Sequence, residues 1–181
     1  SGLYHFEIAS LYYQQSKQYQ PKTNEDQRWK AKKALEICEE VIDAFPRSRA
    51  AKKCEVLISQ IKQKSLQITT EQFLPIQQHA RLLVAYKNIE VLDFNIYKLS
   101  EKQFEKFKKI YRKDEQLTFS QGLKATSSWK SDLRNEHDYQ NHSTEILLPK
   151  LNNGRYLIVA TLEDNEANTF AFSNIQVTNM A

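Results

Sequence analysis

The spacing of apolar residues changes near residue 66, and no other feature limits the fold as much. Up to that point apolar side chains return every three or four positions, which gathers them on one face of a helix. Beyond it they return every second position, which gathers them on one face of a strand. A chain that keeps the two rhythms in separate stretches is α+β. Its 181 residues give room for one domain or two small ones. We therefore expect a helical unit over residues 1–65 and an antiparallel β-sandwich over residues 66–181.

In the opening stretch, LYHFEIASLYYQQS, residues Leu3, Phe6, Leu11 and Tyr13, with Ile8 and Tyr12, predict a helix with a broad apolar face. Pro21 and Asn24 interrupt it. Asn24 is the expected N-cap of a second helix, with Glu25 and Asp26 in the first turn, where carboxylates favour the dipole. Trp29, Leu35, Cys38, Val41, Ile42 and Phe45 recur along that helix at helical spacing. Pro46 ends it, because proline disfavours helical backbone at the residue before it. Pro46 is also expected to open a third helix, where its missing N–H costs nothing. Ala51, Cys54, Leu57, Ile58 and Ile61 mark the inner side of that helix.

From Leu66 the readings are strands. LQITTE predicts the first. ARLLVAYKNIEVLDFNIYKLS predicts two strands around a tight turn at Lys87-Asn88, with Leu92, Phe94 and Ile96 on one face. Residues 101–113 return to helical spacing, with Phe104, Phe107, Ile110 and Tyr111 together. We read these as one inserted helix covering an end of the sandwich, in preference to a basic helix lying on anionic lipid. LTFSQGLKATSSW, TEILLPKL, GRYLIVATLE and NTFAFSNIQVTN are the remaining expected strands. Asn152-Asn153-Gly154 is turn chemistry, since asparagine tolerates and glycine favours positive φ. Ile146 and Leu148 before it, and Tyr156, Ile158 and Ala160 after it, predict a hairpin apolar on both faces and so buried within the sandwich.

The remaining features narrow the function classes. A net charge of +4 with interspersed signs lacks the concentrated basic face of a nucleic-acid binder. The apolar runs are too short to span a bilayer. The chain starts without Met or a signal peptide, and we expect it to be a segment of a longer one. His137, Asp138 and His142 fall in a polar loop, where turn and solvent roles outweigh metal binding. Glu36, Glu39, Glu40 and Asp43, with Lys32, Lys33 and Arg47, form a solvated helix face. There is no Gly-x-Ser-x-Gly elbow, and three glycines leave little room for a phosphate loop. The expectation is no enzyme, no cofactor and no bound metal. Cys38 and Cys54 lie equally far on either side of Pro46. They are either a disulfide pair of an exported chain or, as we prefer, two small buried hydrophobes at a helix–helix seam. Tyr4, Tyr12, Tyr13 and Trp29 are the candidate aromatic contacts for a partner peptide.

Two resemblances sharpen these expectations. Ala34, Ile42, Phe45-Pro46-Arg47-Ser48, Ala50 and Ala51 resemble a tetratricopeptide-type antiparallel helical hairpin over about one and a half repeats. The long polar linker KQYQPKTNEDQ departs from that pattern. Across residues 68–181, Trp129, Leu133, Asp138, Ser143, Ile146, Pro149, Leu151, Gly154, Tyr156 and Val177 to Asn179, with the Y.LS pattern at 97–100, resemble a macroglobulin-type sandwich. The likeness is to the N-terminal region of bacterial alpha-2-macroglobulin-like proteins. It implies an exported, periplasmic or cell-envelope location and neighbouring domains of the same parent chain. It also implies a non-catalytic structural and protein-contact role in a protease-trapping molecule, with proteases met through the full-length protein. The Cys-Gly-Glu-Gln thioester of that family is absent here, and so is a recognisable bait segment. The competing expectation is an adaptor whose helices bind a peptide or an envelope protein.

Overall fold

In the computed structural model, residues 1–71, 73–162 and 170–178 are described. They divide into two compact units. The first comprises Ser1–Lys64 together with Asn135–Asn141, and the second comprises Ser65–Arg134 and His142–Ala181. The expected boundary ran between residues 65 and 66 and left all later residues in the sandwich. Residues 135–141 instead cluster with the helices.

The helical unit holds α1 (Gly2–Ser16), α2 (Lys30–Ala44) and α3 (Arg49–Lys62), with a single 3-10 turn at Glu25–Gln27. Each of the three helices packs on the other two. α1 buries small residues, Gly2, Ala9 and Ser16. A Cβ on Gly2 would lie 3.0 Å from the Ala50 Cβ and 3.1 Å from the Phe45 ring, so glycine lets the helix start lie close against them. Leu3 and Leu11, expected inside, are 42% and 59% exposed. α2 and α3 follow their apolar spacing, burying Ala31, Ala34, Leu35, Cys38 and Val41 against Ala50, Ala51, Cys54, Leu57 and Ile61. Asn24 does not cap α2. It precedes the 3-10 turn, makes no side-chain cap bond, and its amide donates to the Gln18 carbonyl at 3.0 Å. Nor does Pro46 open α3. The cap is Ser48, whose hydroxyl accepts from the Ala51 N–H at 3.0 Å, after Arg47 turns at φ 64°.

Residues 135–141 complete this unit. The Asp138 carboxylate accepts from Arg28 Nε and from the Gln140 N–H, each at 3.1 Å. Gln140 Nε2 donates to the carbonyls of Ser16 and Arg28, both at 3.0 Å. Arg28 also pairs with Glu136, and Tyr139 packs on the helical core. The polar loop expected here is therefore a structural strap whose backbone turns at His137 (φ 55°) and Tyr139 (φ 58°).

The second unit is an immunoglobulin-like sandwich of two sheets. Strands β1 (Ser65–Thr69), β3 (Arg81–Lys87) and β6 (His142–Leu147) form one in the order β1-β3-β6. Strands β2 (Phe73–Pro75), β4 (Val91–Leu99), β5 (Ala125–Asp132), β7 (Gly154–Thr161) and β8 (Ala171–Thr178) form the other in the order β2-β8-β7-β4-β5. Leu82, Val84 and Tyr86 from one sheet meet Leu92, Phe94, Ile96, Tyr156, Ile158 and Ile175 from the other in a common core. The pairing is antiparallel except for β2 against β8, which is parallel, so the wholly antiparallel expectation is corrected.

Both expected hairpins are corrected as well. β3 and β4 lie in different sheets, and the turn at Asn88 (φ 59°) carries the chain from one to the other. β6 and β7 likewise lie in different sheets, and residues 148–153 cross between them. Pro149 lacks the N–H a ladder needs, while the Leu148 N–H donates to the Ala80 carbonyl at 2.7 Å. Consequently β6 is an edge strand, with Leu147 58% exposed, and only β7 is buried on both faces. Gly154 opens β7 at φ 155°.

The outer face of β7 is covered by two inserted helices, α4 (Glu101–Lys108) and α5 (Lys113–Gln121), where one was expected. Ser100 and Gln103 form a capping box on α4. Residues 117–121, read as strand, are the second half of α5, which Asp114 and Glu115 start and Gly122 ends. Phe107 is 2% exposed and packs with Tyr97, Leu99, Leu157, Val159 and Phe170. Its ring meets Phe172 edge-on at 5.2 Å. Tyr111 lies beyond the end of α4 and is 90% exposed. Asn179, and the outer residues of the segments GRYLIVATLE and NTFAFSNIQVTN, fall outside the described residues.

Candidate functional site

The two cysteines and the four aromatic residues singled out from the sequence lie in the helical unit, as a buried pair and a surface group. Cys38 and Cys54 are fully buried and unbridged. Burial pushes the Cys38 thiol up to about 12, helped by a hydrogen bond and charge from Cys54 and by the charge of Glu39. Burial also raises Cys54, against a hydrogen bond from Cys38 that favours its thiolate. Both therefore stay protonated thiols near neutral pH.

The four aromatic residues differ in exposure. Tyr4 is 65% exposed and meets only the edge of His5 at 5.7 Å among ring contacts of the described residues. Tyr12 and Tyr13 are half-buried on the helical core, and burial raises the Tyr13 phenol. Trp29 is 46% exposed. Cations occupy the open ring faces: Lys17 over Tyr13 at 4.6 Å, Lys33 over Tyr12 at 5.1 Å and Arg28 over Trp29 at 4.9 Å.

The sandwich unit presents a different site, one that the sequence reading did not propose. β5 and β6 are edge strands of opposite sheets. A cleft of about 430 Å3 opens between them, lined by Ser127, Ser128 and Trp129 from β5 and by Leu147, Leu148, Pro149 and His79. The period-two spacing of β5 turns Ser127 and Trp129 inward. Trp129 is the register partner of Phe94, and the two rings stack at 5.1 Å with planes 13° apart. One tryptophan face thus continues the core and the ring itself reaches the cleft. His79 is fixed by a 2.9 Å hydrogen bond from its Nδ1 to the Leu148 carbonyl, which leaves Nε2 for other partners. On the outer side of β5, Thr126 and Ser128 donate to the Ile96 carbonyl and to the Asn95 side chain. The signal in the sequence was a single tryptophan in a run of serines, SSWKS. Its meaning depends on the crossing of residues 148–153, which a local pattern does not reveal.

Among the described residues no group of three or more His, Cys, Asp and Glu is placed to hold a metal ion. Among the described residues, no helix is long and apolar enough to cross a membrane.

No family model matches the chain, and no curated protein matches it. Similar solved structures include the CARDB domain of the PF1109 protein from Pyrococcus furiosus, solved in complex with di-metal ions. It is 15% identical, with a TM-score of 0.35 over 64% of this chain and 88% of that one. A solution structure of the same domain gives 15% identity and a TM-score of 0.38 over 65% and 95%. The sulfur carrier protein SoxY from Chlorobium limicola gives 9% identity and a TM-score of 0.27 over 71% and 98%. These findings correct the resemblances drawn from the sequence. These similar structures are a CARDB domain and SoxY, and they show neither an alpha-2-macroglobulin nor a tetratricopeptide family. The helices number three before the strand-rich unit, without a repeating pair.

Proposed function

We propose that the chain is a non-catalytic protein-interaction segment whose sandwich receives an extended stretch of a partner polypeptide beside β5. The observation that carries this reading is the seam between β5 and β6. Each is the last strand of its sheet, and between them the core reaches the surface at Trp129. An edge strand leaves one row of backbone N–H and C=O groups without a ladder partner. A strand added there satisfies those groups, and one of its apolar side chains drops into the cleft beside Trp129, Leu147 and Pro149. β5 has no proline, and its inward positions Ala125, Ser127 and Ser131 are small, so a neighbouring backbone can approach.

The experiment is selection of a displayed random peptide library on the folded chain. The expected winners are extended, β-prone sequences with one large apolar residue. Leu147→Asp and Trp129→Ala should each weaken the selected peptide by about tenfold or more. Undiminished affinity in both variants would remove this reading.

A second reading has its own observation. α1 turns Leu3, Tyr4 and Leu11 to solvent at 42%, 65% and 59% exposure, which suits an adaptor helix contacting a peptide or envelope protein. Peptides selected in the same experiment that lose affinity with Leu11→Asp but not with Leu147→Asp would favour it.

A further inference from the structure

We propose that Cys38 and Cys54 close into a disulfide when the chain folds in an oxidising compartment, and that the folded helices afterwards keep whichever redox state they were folded in. The inference stands apart from the strand-addition reading, because it concerns only the interior of the helical unit.

The geometry supports the bridge. The two residues lie eight positions to either side of Pro46, the break between α2 and α3, so they meet at one level of the seam. Ala31 and Ala34 on α2, with Ala50 and Ala51 on α3, are all buried. Side chains this small let helix axes approach towards the short end of the usual packing range of about 8–10 Å. Both cysteines are fully buried and belong to the same core cluster of the helical unit. They are the only 2 cysteines of the chain, so no other intramolecular pairing competes.

The oxidant is a small disulfide such as oxidised glutathione, or a disulfide-carrying oxidase. One cysteine thiolate attacks a sulfur of that disulfide, forms a mixed disulfide and expels one thiolate. The second cysteine thiolate then attacks the protein sulfur of the mixed disulfide and expels the other. Two cysteine thiols become one cystine, the oxidant becomes two thiols, and the two protons pass to them.

The kinetic gate follows from burial. Exchange needs a thiolate that can reach the oxidant. In the folded unit neither sulfur is exposed, and the hydrophobic surroundings hold both as thiols. The bridge therefore forms before the seam closes, or only when it opens.

The test starts from the full chain, reduced and unfolded in guanidinium. It is refolded in a mixture of reduced and oxidised glutathione, while the already folded, reduced chain is held in the same mixture. The refolded chain should lose the mass of two hydrogen atoms and gain about 10 °C or more in Tm, from closure of a loop of about 17 residues. The folded reduced chain should keep both thiols for hours. Free thiols or glutathione adducts after refolding overturn the bridge. Oxidation of the folded chain as fast as the unfolded one overturns the gate. The double variant Cys38→Ala/Cys54→Ala, whose alanines match those already at the seam, should show no dependence on the redox buffer; the same Tm gain there would also overturn the proposal.

Discussion

Replacing Asp138 by alanine should unfold the helical unit far more readily than its place in a polar stretch suggests. The side chain is 1% exposed and its partner Arg28 is 22% exposed. The change removes two charge-assisted acceptors, one for Arg28 Nε and one for the Gln140 N–H. A hydrogen bond to a charged group contributes about 1.5–3 kcal/mol, which sets an upper range of about 3–6 kcal/mol for the two. Arg28 keeps its pair with Glu136 and some contact with water, so the expected loss is nearer the lower end, about 3 kcal/mol. With a urea dependence of about 1–1.5 kcal/mol per M, the midpoint of the helical transition should fall by about 2 M or more. Far-UV circular dichroism at the helical band follows it. Glu136→Ala is the comparison, because that carboxylate is 28% exposed and a pair so open to water is worth about 1 kcal/mol or less. Asp138→Asn retains an acceptor for Gln140 but turns an uncharged amide towards Arg28, and should fall between the two. Equal midpoints for Asp138→Ala and Glu136→Ala would refute the claim that residues 135–141 hold the helical unit together through Asp138.

Other outcomes follow from the same structure. Because burial in the fold raises the Cys38 thiol from its ordinary range to about 12, the unfolded chain releases its proton first as pH rises. The contribution of Cys38 to stability is thus constant below about pH 8.5 and falls above about pH 9, by at most about 1.4 kcal/mol per pH unit, and denaturation of Cys38→Ala should show a shallower alkaline loss. Phe107→Ala empties the centre of the second core beneath α4 and α5 and should cost about 3–4 kcal/mol by chemical denaturation. Trp129→Ala strips the stacked cover from Phe94 and should cost about 2–3 kcal/mol, whereas Leu147→Asp at an exposed edge should stay within about 0.5 kcal/mol. That difference makes Leu147→Asp the cleaner probe of binding.

How far the sequence could be read varied with the kind of information each element carries. α2 and α3 were legible because their buried faces are both apolar and periodic, as Leu35, Cys38 and Val41 or Cys54, Leu57 and Ile61 show. α1 was legible as a helix but not in its orientation. Its inner face is made of Gly2, Ala9 and Ser16, which allow close approach yet carry little hydrophobic signal, while Leu3 and Leu11 point outward. The strands were legible from alternation, and the inward set Leu92, Phe94 and Ile96 is fully buried. Their pairing was not. Alternation is the same whether consecutive strands form a hairpin or pass between sheets, and both β3–β4 and β6–β7 pass between sheets. Residues 117–121 could serve either period; the acidic pair Asp114-Glu115 and Gly122 at its ends decide for helix. Asp138 looked like loop chemistry because its partner Arg28 is 110 positions away. The β5–β6 seam depends on sheet order, which no local pattern encodes.

Amide hydrogen exchange on the full chain, with and without a saturating selected peptide, tests the account most directly. Strand addition beside β5 predicts new protection along Ala125–Asp132, strongest around Trp129 and absent when the peptide backbone is N-methylated at alternate residues. Protection confined to α1 or α2, or binding that leaves β5 exchanging as before and tolerates N-methylation, would contradict it.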